Sequence, residues 1–466
     1  MTGTAIDSPY PSICSLAEAY LSGKAKPSRV VRAHLDRIES LDPTIGAFQV
    51  VYPEDAMRAA EAADQMFASG LPLGPFHGIP FGLKDICEVE GRITTGGSKA
   101  MQDRVSSVTG SLSRRLFAAG GIMLGKTKTV ECAFGAWGTN QRMGTPWNPW
   151  DLGVHRVPGG SSSGTGASVA SGMAVCGVGT DTGGSVRLPA GFCGLVGLKV
   201  TEGRLPTDGI LPLSHTLDTP GPLARSVEDA TLMFLVMNAA EGWSVERDRR
   251  ESKGLFAELR RGVQGLRLGI LDATERAACT VEVLEGYDAA LDLLRKLGAV
   301  LVPFSAQKSY SDLTTFCGEL IAAEGYFHHG HMYAQTDLPM DDDVRTRMLA
   351  GSDLSAASYM KMLRDRIAGR EAFLDQMRGF DGLLTPTTTT TAPPVSEVDQ
   401  AVSPGHFTRH VNYLGLCALS VPSGLSPSGL PTSLQVVARP NAEGMALRVG
   451  AAYEGARGAF AYPDLN

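Results

Sequence analysis

Residues 157–199 hold the densest run of glycine in the chain and read VPGGSSSGTGASVASGMAVCGVGTDTGGSVRLPAGFCGLVGLK. Two small-residue loops, 159–166 and 181–185, flank a helical run and a short strand, and both present serine hydroxyls among glycines. Such loops serve as tight turns in a packed core or as anion sites, because Gly-rich loops that open helices bind phosphates. Neither loop has the Lys-Ser/Thr ending of a P-loop, and no dinucleotide-type G-x-G-x-x-G motif is present. Composition alone leaves both interpretations open.

Short apolar stretches on either side of these loops predict strands. Between residues 71 and 222 they alternate with Gly-rich turns and with a helical pattern at 111–119, and they comprise residues 79–83, 122–124, 174–178 and 195–198. A strand at 266–271, a helix at 281–297 and a strand at 299–304 repeat this order. The alternation is typical of the α/β class. Because there is no internal repeat and no linker, one continuous domain is predicted.

Two further segments have a local interpretation. Residues 10–70 predict N-terminal helices, with apolar stripes at 28–41 and an alanine-rich pattern at 54–68. The prolines of TPTTTTTAPP at 385–394 argue against a central strand, so this stretch is predicted to be a loop or a sheet edge.

Composition excludes several classes of protein. The 466 residues include 42 basic and 49 acidic side chains, a net charge of −7, which disfavours a binder of nucleic acid or of anionic membranes. The eight cysteines form no C-x-x-C pair, so neither a disulfide framework nor a zinc site is indicated. The N-terminus has no apolar leader, and no uninterrupted apolar stretch is long enough to span a membrane. We expect a soluble cytoplasmic protein.

One lysine changes the interpretation of the serine loops. The segment HGIPFGLKD, residues 77–85, is an apolar strand that ends at Lys84, and a lone lysine there would usually be a solvated charge. Together with GGSSSG at 159–164 and DTGGSVRLPA at 181–190, however, the segment resembles the amidase signature family of serine hydrolases. The resemblance extends from the helices of 16–48 through DGLLTPT at 381–387 to LSVPSGLSPSGLP at 419–431.

The resemblance implies an α/β fold, a single large domain over 1–466 with a mixed, mostly central β-sheet covered by helices on both sides. Residues 71–225 would be the catalytic core and residues 305–400 the variable substrate-pocket region. It also implies a Ser-Ser-Lys triad, in which Ser185 is the nucleophile, Ser161 the bridging serine after a cis Gly160–Ser161 peptide, and Lys84 the base. Ser162 matches a supporting hydroxyl, whereas Ser163 replaces a frequent glycine.

These residue types suit acyl transfer. A serine hydroxyl is a poor nucleophile without a base, and residues 157–199 contain no histidine. Lysine accepts a proton only when it is neutral, so burial must lower the pKa of Lys84 from about 10.4. Glycines without Cβ would let the backbone N–H groups of Thr182, Gly183, Gly184 and Ser185 converge on an oxyanion. Asp181 and Arg187 either orient these loops or form an ordinary ion pair.

Other candidate residues are interpreted as structural. His328, His329 and His331 lack a motif such as HExxH, so no metal and no cofactor is expected. Cys193 follows an apolar pattern and is assigned to the core rather than to nucleophilic chemistry. The GGSSSG loop superficially resembles a G-x-S-x-G elbow, but no strand of the required type leads directly into it.

The substrate pocket is expected at ECAFGAWGTN, residues 131–140, with Phe134, Gly135, Ala136 and Trp137 as its lining. Six aromatic and methionine side chains in the variable region suggest a hydrophobic aryl or alkyl acyl amide, or a carbamate: Phe316, Tyr326, Phe327, Met332, Tyr333 and Met340. The expected partner is this small molecule, with neither nucleic acid nor membrane, and a homodimer is left open.

Three functions share these motifs. The first is a free-standing amidohydrolase that acts through a Ser185 acyl-enzyme. The alternative is the glutaminase subunit of a tRNA-dependent amidotransferase, although residues 305–400 offer no convincing Tyr, Arg and Asp set for the α-amino acid group of glutamine. A non-catalytic relative is disfavoured, because Lys84, Ser161 and Ser185 are all present.

Overall fold

The fold is built on one eleven-stranded sheet in the computed structural model, which describes residues 8–238 and 254–465. The predicted domain limits, 1 and 466, lie outside these residues. In chain order the strands are β1 Phe48–Val51, β2 Pro80–Lys84, β3 Ile122–Thr127, β4 Cys176–Asp181, β5 Val196–Lys199, β6 Thr219–Ala224, β7 Arg267–Leu271, β8 Val300–Phe304, β9 Gly382–Pro386, β10 Cys417–Leu425 and β11 Pro431–Ala438. Their order across the sheet is β1-β3-β2-β4-β6-β5-β10-β11-β9-β7-β8.

Fifteen α-helices accompany the sheet in the described residues. They are α1 Ile13–Leu21, α2 Pro27–Ile45, α3 Pro53–Ala68, α4 Ser111–Ala118, α5 Ser163–Ala170, α6 Arg187–Cys193, α7 Val227–Met237, α8 Leu255–Leu259, α9 Ala273–Arg276, α10 Val281–Lys296, α11 Tyr310–Tyr333, α12 Asp342–Leu349, α13 Ala356–Gln376, α14 Arg409–Tyr413 and α15 Glu443–Arg457. None of the described helices is long and apolar enough to cross a membrane.

The sheet is mixed. Strand β2 runs parallel to both β3 and β4, and β7 runs parallel to both β8 and β9, whereas β6, β5, β10 and β11 are joined by antiparallel pairing. Every residue of β2, β4, β5, β6, β9 and β11 is buried, so helices and loops cover both faces of the central strands. The predicted α/β fold, a single large domain with a covered mixed sheet, is confirmed.

Two local predictions differ from the structure. Residues 10–70 contain β1 as well as helices, and this four-residue strand forms an edge of the sheet against β3. The TPTTTTTAPP stretch begins inside the sheet, because Thr385 and Pro386 end β9, which lies between β11 and β7. Pro386 is tolerated there because it is the last residue of its strand, and the chain leaves the sheet after it.

Candidate active site

Lys84 ends strand β2 and is completely buried between β3 and β4. Its Nζ donates hydrogen bonds to Ser161 Oγ and to Thr180 Oγ1, both at 2.8 Å. Its sequence neighbour Asp85 pairs instead with Lys126, whose Nζ lies 3.0 Å from Asp85 Oδ1. Lys84 is therefore held by two hydroxyl groups, and Thr180 is a contact that the sequence did not indicate.

Burial lowers the pKa of Lys84 to about 7. Removal of the ammonium group from water is the main cause, and the carboxylates of Asp218 and Asp181 oppose it only in part. A substantial fraction of Lys84 is consequently neutral near pH 7, as a lysine base requires.

Ser161 lies in a loop that packs tightly against the predicted pocket segment. The Gly160–Ser161 peptide bond is cis, as the resemblance implied. The N–H groups of Gly159 and Gly160 donate to the carbonyls of Trp137 and Ala136, at 3.1 and 2.8 Å. A Cβ on Gly160 would lie 2.4 Å from the Gly135 carbonyl oxygen, so only glycine permits this approach. Ser161 and residues 135–137 are thereby brought together.

The supporting serine, Ser162, connects three parts of the site. Its hydroxyl accepts from the Thr180 N–H and donates to the Thr180 carbonyl, both at 3.3 Å. Its backbone N–H donates to the Ser185 carbonyl, also at 3.3 Å. Ser162 therefore contacts both β4, whose Thr180 accepts from Lys84, and the loop that carries Ser185.

Ser185 lies in the turn between β4 and α6 and is 8% exposed. The prediction that the Gly184 N–H is an oxyanion donor needs correction, because this N–H already donates to Asp181 Oδ1 at 2.7 Å. The N–H groups of Thr182, Gly183 and Ser185 have no hydrogen-bond partner in the described parts of the chain. A Cβ on Gly184, where φ is +129°, would lie 2.3 Å from Thr408 Oγ1. Gly184 thus shapes the loop while its neighbours supply free donors.

A buried ion pair holds this loop. Arg187 binds Asp181 through Nε and Nη2, each at 2.9 Å, and neither side chain is exposed. Arg187 also donates to Asn412 Oδ1 at 2.6 Å and to Gln435 Oε1 at 2.8 Å. Burial alone would raise the pKa of Asp181, but Arg187 holds it well below its usual range. Both expected roles apply, since the pair is structural and also fixes the two ends of the Ser185 turn.

Ser185 opens into a cavity of about 490 Å³, mouth included. All four predicted pocket residues line it. The lining residues are Ala133, Phe134, Gly135, Ala136, Trp137, Thr182, Gly183, Ser185, Leu213, Ile321, Arg347, Gln400, Val402, Ser403 and Arg409. The sequence did not single out Arg347 and Arg409, and no local motif marks either of them.

The six aromatic and methionine side chains proposed from the variable region do not line this cavity. Phe327 is 75% exposed, whereas Tyr333 and Met340 are buried in the core. The Tyr333 hydroxyl donates to Glu131 Oε1 at 2.9 Å. Only Ile321, Arg347 and Gln400 reach the cavity from residues 305–400. These six residues therefore do not support a hydrophobic substrate.

The remaining candidates occupy structural positions. Cys193 is buried, its thiol donates to the Pro158 carbonyl, and burial raises its pKa, so it is not a thiolate nucleophile. His328 contacts His215, with 3.2 Å between ring nitrogens, and His329 bonds the Pro212 carbonyl. Over 8–238 and 254–465 no three His, Cys, Asp or Glu side chains are grouped as a metal would require.

Comparisons with known proteins show which family the chain resembles along most of its length. A family model described as Amidase matches residues 29–447. The chain is 35% identical to a glutamyl-tRNA(Gln) amidotransferase subunit of Geobacter metallireducens and 34% identical to 2-amino-5-chloromuconic acid deaminase of Comamonas testosteroni, each match covering 91% of this chain and 92% of the relative. The crystal structure of a peptide amidase from Stenotrophomonas maltophilia has a TM-score of 0.84 and 27% identity, and the match covers 98% of both chains.

Removal of one partner of the buried ion pair tests its structural role. We expect Arg187→Met to lower the free energy of unfolding by about 3–5 kcal/mol, because Asp181 would stay buried without its cation. The matched control is Arg378→Met, whose partner Asp375 lies 2.8 Å away and whose own side chain is 79% exposed. This control should change stability by less than about 0.5 kcal/mol in urea denaturation. Equal effects of the two variants would contradict the assignment.

Proposed function

The chain belongs to the amidase signature family of amide hydrolases, and we propose that its Ser185 attacks the substrate carbonyl carbon. Ser161 and Lys84 transfer the proton in this proposal. The observation that carries the proposal is the 2.8 Å contact between Lys84 Nζ and Ser161 Oγ, made by a lysine whose pKa lies near 7. The Ser162–Ser185 hydrogen bond supports the placement of the nucleophile loop beside this pair.

In the first half-reaction, Ser185 Oγ forms a bond to the carbonyl carbon. Its proton passes to Ser161 Oγ as the Ser161 proton passes to neutral Lys84. The free N–H groups of Gly183 and Ser185 are the groups that we propose stabilise the oxyanion, a contribution of about 3–4 kcal/mol per donor. The C–N bond then breaks, and the proton returns through Ser161 to the leaving nitrogen.

In the second half-reaction, water attacks the Ser185 ester. Lys84 and Ser161 accept its proton, the acyl group leaves as an acid, and Ser185 regains its hydroxyl proton. The substrate is proposed to be a small amide, and a carbamate would use the same steps with a different acyl group.

The lysine base predicts a pH profile. Below pH 7 Lys84 is an ammonium and cannot accept a proton, so kcat/KM should rise about tenfold per unit up to pH 7 and then level off. Lys84→Met should lower kcat by about 10²–10⁴-fold while circular dichroism shows a folded protein.

Glu131 supplies the control for this profile, because burial also raises its pKa to about 7. In Glu131→Gln the inflection near pH 7 should remain. A profile that loses the inflection in Glu131→Gln, or a Lys84→Met enzyme with near-native turnover, contradicts the role of Lys84.

The nucleophile is tested by chemical labelling. A fluorophosphonate should add one equivalent to the native protein, with the modified peptide containing Ser185, and Ser185→Ala should abolish both labelling and turnover, by at least about a thousand-fold for the latter. Cys193→Ser is the matched control and should still be labelled, since Cys193 is buried and bonded to Pro158. A label on Cys193 would refute the assignment.

A glutaminase subunit is the second candidate, favoured by the 35% identity to a glutamyl-tRNA(Gln) amidotransferase subunit. Free glutamine carries an ammonium beside its carboxylate, and such a cation is usually bound by a carboxylate. No aspartate or glutamate lines the Ser185 cavity, which includes two arginines; Asp343 lines the adjoining cavity and accepts from Gln141 Nε2. The 34% identity to a deaminase supports release of nitrogen from a substrate other than glutamine. The free-standing amidase is therefore the function that we propose.

The two candidates are separated by assays on the purified chain alone. We expect turnover of an aryl amide or an aryl carbamate without any added protein, and at most slow release of ammonia from glutamine. Glutamine hydrolysis that appears only when an amidotransferase partner is added would favour the glutaminase subunit.

A further inference from the structure

Two arginines from separate segments meet in the Ser185 cavity. Arg347 belongs to helix α12, and Arg409 is the first residue of helix α14. Both side chains are partly buried. Burial lowers the pKa of both guanidinium groups; for Arg347 the charges of Asp341 and Asp343 oppose this in part, and the positive charge of Arg409 adds to it. Two cations thus lie beside the proposed nucleophile.

Arg347 is held by uncharged groups. Its Nε donates to the Phe134 carbonyl at 3.0 Å, and Nη1 donates to Gln400 Oε1 at 3.3 Å. Its guanidinium carbon lies 5.8 Å from the centre of the Phe134 ring. The other terminal nitrogen, Nη2, faces Gly135, since a Cβ there would lie 3.3 Å from it. These contacts orient the guanidinium along the cavity wall without neutralising it.

Arg409 has fewer contacts. Its side chain makes one hydrogen bond in the described residues, a long one of 3.5 Å from Nη1 to the Thr314 carbonyl. Its Nε lies 3.7 Å from the position that a Cβ on Gly183 would occupy. The side chain is therefore adjacent to the loop that carries the proposed oxyanion donors, and most of its five N–H donors are uncommitted.

Neither arginine has a carboxylate within 4 Å among residues 8–238 and 254–465. The acidic residues closest to Arg347 are engaged elsewhere: Asp341 accepts from the Gln141 N–H, and Asp343 from Gln141 Nε2, both at 2.8 Å. By contrast, Arg187 is buried with Asp181. Buried cations are ordinarily paired, because loss of water without a counter-ion is unfavourable.

A guanidinium is a planar fork of donors that matches a carboxylate, and it stays charged when water is excluded. We propose that Arg347 and Arg409 bind a carboxylate of the substrate, so that the enzyme acts on amides of carboxylate-bearing compounds. This inference rests on the proposed function. Because both arginines line the same cavity as Ser185, the carboxylate and the scissile amide are proposed to belong to one small molecule.

The test compares acids with their neutral esters. The probes are succinamic, glutaramic and isophthalamic acids and their methyl esters, with release of ammonia as the readout. For at least one pair we expect kcat/KM to be ten-fold or more higher for the acid than for the ester. This acid-to-ester ratio should fall by about ten- to a hundred-fold in Arg409→Gln and in Arg347→Gln, mainly through KM, as expected for lost hydrogen bonds to a charged group.

Two further variants sharpen the test. Arg409→Lys keeps the charge but loses the fork, so it should recover part of the ratio. Arg378→Gln removes an exposed arginine that does not line the cavity, and it should keep the native ratio. The inference would be overturned if the acid-to-ester ratio of the native enzyme were near one. It would also be overturned if both Arg409→Gln and Arg347→Gln kept the ratio of the native enzyme.

Binding separates this inference from the proposed mechanism. Calorimetry with the Ser185→Ala variant should show binding of the acid. Adding Arg409→Gln to this variant should weaken that binding at least ten-fold. If acids bind in this way while the Ser185→Ala enzyme still turns over, the mechanism is wrong and the carboxylate site stands. If none of the acids binds more tightly than its ester, the carboxylate site is wrong whatever the fate of Ser185.

Discussion

The buried ion pair between Asp181 and Arg187 is the interaction on which the site depends. Asp181 is the last residue of β4, Arg187 is the first of α6, and the turn between them carries Ser185. The pair reaches the C-terminal half of the chain through Asn412 and Gln435, which bond Arg187. Its carboxylate also accepts the Gly184 N–H, which fixes the turn from inside. An ion pair of this kind is favourable only when every donor and acceptor is satisfied, and here the surrounding amides satisfy them.

Buried cations with and without carboxylate partners have different uses in this protein. Lys126 and Arg187 are paired with Asp85 and Asp181, and they hold the structure together. Lys84 is bound only by hydroxyl groups. No adjacent carboxylate offsets the effect of burial, so the pKa of Lys84 falls. Arginine cannot lose its proton in this way, so Arg347 and Arg409 stay charged in the cavity and are suited to an anion. A missing carboxylate partner does not decide a role by itself, because buried Lys199 also has none and is held by the Val200 and Leu416 carbonyls.

The fold was largely predictable because its local signals agree with the sheet. The strands at 79–83, 122–124 and 195–198 appeared within a few residues of β2, β3 and β5, since apolar runs between glycine turns are a strong pattern. Strand β1 was missed because four residues between two helices give too short a pattern. The place of β9 inside the sheet was missed because its prolines argued locally for an edge, whereas its pairing with β11 and β7 depends on distant residues.

The sequence by itself determined the chemical inventory of the site: a lysine at a strand end, serines in two glycine loops, and a segment that lines the cavity. The order of residues along the chain and steric limits determine these features. Only glycine fits at position 160, because a Cβ there would lie 2.4 Å from the Gly135 carbonyl oxygen. Tertiary structure decided what no local pattern contains. It brought Thr180 to Lys84 and placed Arg347 and Arg409 in the same cavity as Ser185. The reason is that desolvation and the absence of a counter-ion are properties of an environment, and segments far apart in the chain create that environment.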